Sequence, residues 1–515
     1  MNSPNGAAAY VGGNDQNKSF QLPLLRTDVY SGSINFDSYI HVSNSTSGST
    51  NLTFTFFNSD GSTNSTRNVP VPSTISAWQT VDVDLAQVLG TAFKGSGVVT
   101  SSPSAVAVSV TFTNGSLNID NLDAYAGIPS GATSAYFPLA INYGDYTTHF
   151  WVHNTSSSAP ANITYTLWTN GSIPAGGGPT TSVVGANATL QLGIISFNFV
   201  GPAQITSDQP IAVIAEVSGG AISATGVMTP PESGSSVFIP RYEVNNNPQT
   251  TWTSNFIVMN TTPTNGSSNC NATFHANFLN PDGSLAGSLD TPTGGILPMR
   301  SWVVGSLPFQ QNVQAPVPDG FAGSVIVTQT GGNFPIVPMV FTLQGSLSKQ
   351  NAINVTDTYS PATSAQAAYW TYLPNILKSV NGQTTAFAMM NTNSTPQDYL
   401  LTYWDHSGNP VSLSTLSLSP NVAWYASQAV DPSLPPGFDG SVQIQNISGG
   451  APPAAVVQMY AGASSPPGPI APSPTPFATL TPTRTPTPTM TPTRLPNMTP
   501  QAYAPIVINQ LSGGW

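Results

Sequence analysis

Charge is what this sequence has least of. Only 6% of its 515 residues are Asp, Glu, Lys or Arg, against about 25% in an ordinary globular protein. The net charge is −11, with ten basic residues in all. Phosphate binding needs basic residues in clusters, so no nucleic-acid partner is expected. Cys270 is the single cysteine, which excludes an intrachain disulfide and a cysteine-based metal site. No run of eighteen apolar residues occurs, so no helical membrane span is expected. The opening, MNSPNGAAAY, has neither a basic n-region nor an apolar h-region, and no signal peptide is read there. His-Glu-x-x-His, Gly-x-Ser-x-Gly, a phosphate-binding Gly-rich loop with Lys and the Asp-x-Asp-x-Asp-Gly calcium pattern are all missing. The expectation is therefore no catalytic, cofactor-binding or metal residues, and no enzyme.

What remains is Ser, Thr, Asn and Gln among 39% apolar residues. A surface with so little charge suits an extracellular or cell-surface protein, one open to covalent glycans. Internal repetition sets the architecture. An apolar-x-Pro segment recurs as FQLPLL (Pro23), AYFPLA (Pro138), VFIPRY (Pro240) and TYLPNI (Pro374). Each is followed by a strand ending in Asn, at Asn44, Asn154, Asn260 and Asn391. A strand-and-turn segment comes next, then a Phe-x-Gly step (Phe93/Gly95, Phe199/Gly201, Phe321/Gly323, Phe438/Gly440), then an apolar strand such as AVAVSV.

The strands are rich in Thr, Val, Ile, Tyr and Phe, and no helical periodicity is sustained. Leu52, Phe54 and Phe56 alternate with Thr53 and Thr55, giving one core face and one wet face. Asp60-Gly61, Asn170-Gly171 and Asp282-Gly283 supply the positive φ of tight hairpins. The expected fold is all-β, with four tandem antiparallel β-sandwich domains, immunoglobulin-like in outline. The boundaries are 1–17 for a strand-like extension, then 18–131, 132–234, 235–366 and 367–466 for the four repeats. Residues 467–500 form a Thr/Pro-rich linker and 501–515 a lone terminal strand. Five histidines and the Asp82/Asp84 and Asp120/Asp123 pairs read as structural or surface residues, with His41 and His153 on the same strand of different repeats. Trp151, Trp168, Trp252 and Trp404 read as core.

These repeats resemble β-sandwich modules of bacterial surface proteins from a phylum rich in filamentous thermophiles. The resemblance rests on the opening strand with its Pro and on the Phe-x-Gly-Ser step at Phe93–Ser96, Phe321–Ser324 and Phe438–Ser441. It also rests on the Thr-Pro linker and Tyr-x-Pro strand of Thr475–Ile508. It implies a surface location and carries no known chemistry. The Arg or Lys often found at the tail of such proteins is replaced by Asn509 and Gln510, against a sorting signal.

Sixteen Asn-x-Ser/Thr sequons occur. Asn44, Asn154 and Asn260 fall at one equivalent turn, and Asn51, Asn162 and Asn271 at the start of the next strand. These six are the candidate glycosylation sites.

Repeats 1 to 3 each add a final strand, at 122–129, 221–228 and 353–360. Repeat 4 runs instead into a Pro-rich stretch, which leaves an open edge. The N-terminal AAAYVGG resembles DAYAGIP: Tyr10 precedes Pro23 by 13 residues, as Tyr125 precedes Pro138. The expected assembly is a head-to-tail homopolymer, in which Ala9, Tyr10 and Val11, or Tyr503, Pro505, Ile506, Val507 and Ile508, complete a sheet in a neighbouring subunit. The linker, extended at about 3.1 Å per residue, reaches roughly 100 Å. A surface-anchored stalk or adhesin whose loops bind glycans or matrix is the alternative.

Overall fold

Alternation of apolar and polar residues becomes alternation of burial. In the strand Thr50–Asn58, Leu52, Phe54 and Phe56 are buried while Asn51 and Thr53 are exposed. The computed structural model describes residues 7–461 except 12–16, 28–35, 91, 115–121, 144–145, 170–172, 175–176, 194–197, 220–221, 228–235, 245–251, 264–269, 306–311, 345–354, 360–361, 364–369 and 381. The chain divides into two compact units, Met1–Pro474 and Thr475–Trp515. The expected linker and the terminal residues Tyr503, Pro505, Ile506, Val507 and Ile508 lie outside the described residues. The all-β expectation holds: the one helix among the described residues is Leu85–Leu89, capped by the Asp84 carboxylate.

The repeats share one order of strand positions, eight in repeat 1 and seven in repeat 4. Repeat 1 runs Ser19–Arg26, Phe36–Asn44, Thr50–Asn58, Thr74–Ile75, Thr80–Asp84, Lys94–Ser102, Val106–Asn114 and Leu122–Ala126. Positions one, six, three and four form one antiparallel sheet, in that spatial order. Positions five, two, seven and eight form the other. Repeat 4 repeats the pattern with Trp370–Leu377, Gln383–Met390, Gln397–Asp405, Pro410–Leu418, Ala423–Ser427, Asp439–Asn446 and Ala454–Ala461. In repeat 2 positions six and seven are one 21-residue strand, Phe199–Gly219, shared by both sheets. In an immunoglobulin sandwich the sheets carry A-B-E and C-F-G. Positions two, three, five and six here match B, C, E and F. The first strand, however, pairs the sixth where G would lie, and the seventh pairs the second where A would lie. The two-sheet outline is as expected, and the end strands have exchanged places.

The recurring landmarks have local causes. At each opening strand the ladder register slips across the proline, between Leu22 and Leu25, Phe137 and Ala140, Ile239 and Tyr242, and Leu373 and Ile376. Proline has no N–H to donate, so a bulge forms there and re-aims the residues that follow. The Phe-x-Gly glycine is equally constrained. A Cβ at Gly95, Gly201, Gly323 or Gly440 would strike the carbonyl oxygen of Phe57, Trp168, Leu279 or Trp404, and the ring of the preceding Phe as well.

Among the described residues, Ala7–Val11 takes the eighth strand position of repeat 4. It pairs antiparallel with Ala454–Ala461, Ala7 opposite Tyr460 and Val11 opposite Val456. Donor and acceptor edge are those read from the sequence, but they belong to one chain. Ala9, Tyr10 and Val11, expected to complete a neighbouring subunit, lie in this ladder within the one chain described. The eighth strands also meet one another. Ala7–Val11 lies against Leu122–Ala126 and Val355–Tyr359, and Ile222–Val227 lies against the same two. The four repeats of this unit therefore close into a cycle.

Candidate interface at the repeat junctions

The bulged opening strand of each repeat faces the second sheet of the next repeat, and repeat 4 faces repeat 1 in the same way. A turn residue with positive φ marks the receiving side each time: Trp78, Asn187, Met299 and Asn421. On it sits the hairpin turn of the preceding repeat. Gly61 approaches Ala186, Gly283 approaches Val422 and Gly408 approaches Ala77. Gly61 and Gly283 have the expected positive φ, whereas Asn170-Gly171 lies outside the described residues.

One frame holds four chemistries. Between repeats 1 and 2, the Arg26 guanidinium pairs with Glu216 at 2.8 Å, both side chains 6% exposed. Glu216 also accepts from Trp151 Nε1 at 2.9 Å. The Lys94 ammonium lies 4.4 Å from the Trp151 ring centroid and donates to Gln191 at 3.2 Å. Burial, and then the Arg26 cation, hold Lys94 below its ordinary pKa. Between repeats 2 and 3 the contact is apolar: Leu139 and Ile141 pack on Ile257 and Phe341. Between repeats 3 and 4, the Arg241 guanidinium stacks 3.8 Å over the Tyr425 ring and pairs with Glu243.

The seam between repeats 4 and 1 stacks Trp404 on Trp78, with centroids 4.9 Å apart and planes within 10°. The Thr80 N–H donates to the His406 carbonyl at 3.3 Å. Beside them stand Asp82, His406 and Asp439, whose ligand atoms all lie within 4.8 Å of one another. His41 Nδ1 is 2.6 Å from Asp82 Oδ1, and its Nε2 is 2.8 Å from Thr111 Oγ1. Burial opposes ionisation of Asp82, but His41 outweighs it and holds the carboxyl below the ordinary value. Asp439 is pushed up, by burial and then by the Asp82 carboxylate. Asp82 lies on the strand Thr80–Asp84 and Asp84 caps a helix, so this pair sits in regular structure rather than in a loop. Repeat alignment held a signal for this group. Asp82 stands four residues past the positive-φ turn, and Asp439 is the middle residue of Phe-x-Gly.

The candidate glycosylation asparagines divide into two sets. Asn44, Asn154 and Asn260 are fully buried, and so is Asn391. Their Nδ2 atoms, which a glycan would need, donate to backbone carbonyls: Gly48 and Ser76 for Asn44, Ala159, Val184 and Gly185 for Asn154, Cys270 and Ile296 for Asn260. Their Oδ1 atoms accept from the N–H two residues on, at Thr46, Ser156 and Thr262. This Asx turn needs an N–H at the second position, and Ser or Thr there makes it look like a sequon. In this structure the three act as turn knots, with their Nδ2 atoms already engaged. Asn51 and Asn162 are exposed, and Asn271 is half-buried with its Nδ2 on the Gly294 carbonyl at 2.7 Å.

No protein-family model matches this chain, and no curated protein matches it. A solved structure of the serine-rich repeat protein Srr2 from Streptococcus agalactiae is similar at 12% identity, over 50% of this chain and 86% of that chain, with a TM-score of 0.13. At that score the two backbones do not superpose, and nothing is carried over from it.

Proposed function

We propose that this chain is a non-enzymatic surface protein of a bacterium, a closed four-repeat head carried on a Thr-Pro tether. The observation that carries this reading is the seat of Ala7–Val11 on the edge of its own repeat 4. That edge is the natural template for joining subunits, and its occupation within one chain favours a self-contained head over a link in a strand-exchanged chain. The near absence of charge supports an extracellular setting, and Asn51 and Asn162 are exposed sequons, the latter with its Nδ2 on the Asp208 carboxylate. The Thr-Pro tract suits a stalk, because extended Pro-rich chain is a semi-rigid spacer.

A filament is the second reading, and it rests on the likeness of Tyr503–Ile508 to the opening strands. Light scattering and electron microscopy of the purified full-length chain separate the two. A mass close to the 53.5 kDa of one chain, plus any glycan, with no fibres, is the expected result. Fibres forming from the pure protein would overturn the monomeric head and leave the terminal strand as the donor.

A further inference from the structure

We propose that the seam between repeats 4 and 1 is a divalent-cation site, with His406 Nδ1 and the carboxylates of Asp82 and Asp439 as its ligands and zinc as the best-fitting ion. The four junctions allow a controlled comparison. The middle residue of Phe-x-Gly in one repeat faces the residue four past the positive-φ turn of the next. Those pairs are Lys94 with Gln191, Val200 with Val303, Ala322 with Tyr425, and Asp439 with Asp82. The first is joined by a hydrogen bond and the second packs in one apolar cluster. The third is neutral. Only the seam sets two carboxylates against each other, and like charges at that range repel unless a positive charge lies between them.

The third ligand is already in place. At the turn position held by Ser59, Thr169 and Pro281 in the other repeats, repeat 4 has His406. Its side chain is 43% exposed, but the Nδ1 atom itself is shielded from solvent and has no hydrogen-bond partner. It lies 3.9 Å from Asp82 Oδ2 and 3.8 Å from Asp439 Oδ2. Those separations are too long for hydrogen bonds. These two edges are a few tenths of an ångström wider than the roughly 3.4 Å edge of a tetrahedral zinc site with bonds of about 2.0–2.2 Å, and the third, between the carboxylates, is within 4.8 Å and draws in on binding. His41, itself held by Thr111, engages the other Asp82 oxygen and leaves Oδ2 facing His406. This is the outer-shell orientation that ligating carboxylates receive in metal sites.

One imidazole and two carboxylates suit zinc, with water in the fourth position. Calcium wants six to eight oxygens and fits this set poorly. The two carboxylates balance the charge of a divalent ion. Because Asp82 comes from repeat 1 and the other two ligands from repeat 4, the ion pins the seam where the cycle closes, and binding stabilises the closed form by mass action.

The test is zinc titration of the metal-stripped full-length chain by calorimetry, with visible absorption of the cobalt-loaded protein as a second readout. One zinc per chain is expected, together with the visible bands of tetrahedral cobalt and a higher unfolding temperature with zinc than with chelator. Asp439→Asn and His406→Gln each weaken zinc binding at least tenfold and abolish the thermal shift. His275→Gln, at an exposed His–Asp pair elsewhere, changes neither. Asp439→Asn also removes a like-charge neighbour, so the metal-free variant is expected to be folded and at least as stable as the parent. Absence of zinc binding, or binding that survives both ligand substitutions, overturns the proposal.

Discussion

At the residue scale, the most consequential side chains are polar and buried. Asn154 satisfies three backbone carbonyls at the mouth of repeat 2. Asn154→Ala removes the side-chain donor to Ala159 and Val184, while Gly185 keeps the Ala188 N–H, and is expected to cost about 2–3 kcal/mol, measured as a shift in the denaturation midpoint. Peptide mapping by mass spectrometry is expected to find Asn44, Asn154 and Asn260 unmodified in the folded protein, with Asn51 the most accessible of the six candidates. These asparagines were legible as landmarks, but their purpose was not. An Asx turn and a sequon share one residue pattern, and only burial separates them.

His153 sets a pH dependence at the same scale. It is fully buried, its ring lies beside Phe57 of repeat 1, and burial lowers its pKa to about 4. The unfolded chain, with an ordinary imidazole near 6.5, takes up this proton first as pH falls. Stability from the neutral imidazole is therefore fully present above about pH 6.5 and lost progressively toward pH 4, by about 3 kcal/mol in all. Urea melts at steps between pH 7 and 4 are expected to show this loss, and His153→Gln to flatten it over that window.

At the scale of elements, the apolar-x-Pro and Phe-x-Gly landmarks were legible as repeats, and the bulge and close packing they produce have local causes. A missing N–H breaks a ladder wherever it falls, and a ring folded over a glycine admits no Cβ. That repeat 4 runs into a Pro-rich stretch where the others add an eighth strand was legible for the same reason, by counting. Which molecule supplies it was not, because strand pattern and propensity describe the edge and are silent on its owner. Removing residues 1–17 is expected to speed deuterium exchange in Ala454–Ala461 and Gln383–Met390 while leaving the Lys94–Ser102 ladder protected. A peptide spanning residues 7–13 is expected to restore protection in part. Equal exchange with and without the segment would mean that the pairing contributes nothing to repeat 4.

At the scale of the whole described unit, closure creates what no single repeat contains. Asp82 and His406 are 406 − 82 = 324 residues apart, and they share a site only because repeat 4 docks on repeat 1. The same closure places the stacked pair Trp78 and Trp404, of which only Trp404 was read as core. Its partner across the seam had no signal in either repeat alone. Three junctions follow chain order and would exist in an open array, whereas the seam exists only in the cycle. Everything proposed here for function therefore turns on whether Ala7–Val11 binds its own chain.

A disulfide across that pairing decides it. Ala9 faces Gln458 in the ladder, and directly opposed residues of antiparallel strands lie about 4.5–5.5 Å apart at Cα, within disulfide range. The full-length chain carrying Ala9→Cys and Gln458→Cys, with Cys270→Ser to remove the native thiol, is oxidised at low concentration and run without reductant. The cyclic head predicts an internal crosslink: loss of both free thiols in a species of one-chain mass. A ladder of disulfide-linked oligomers would place the strand in a neighbouring molecule and contradict the cycle.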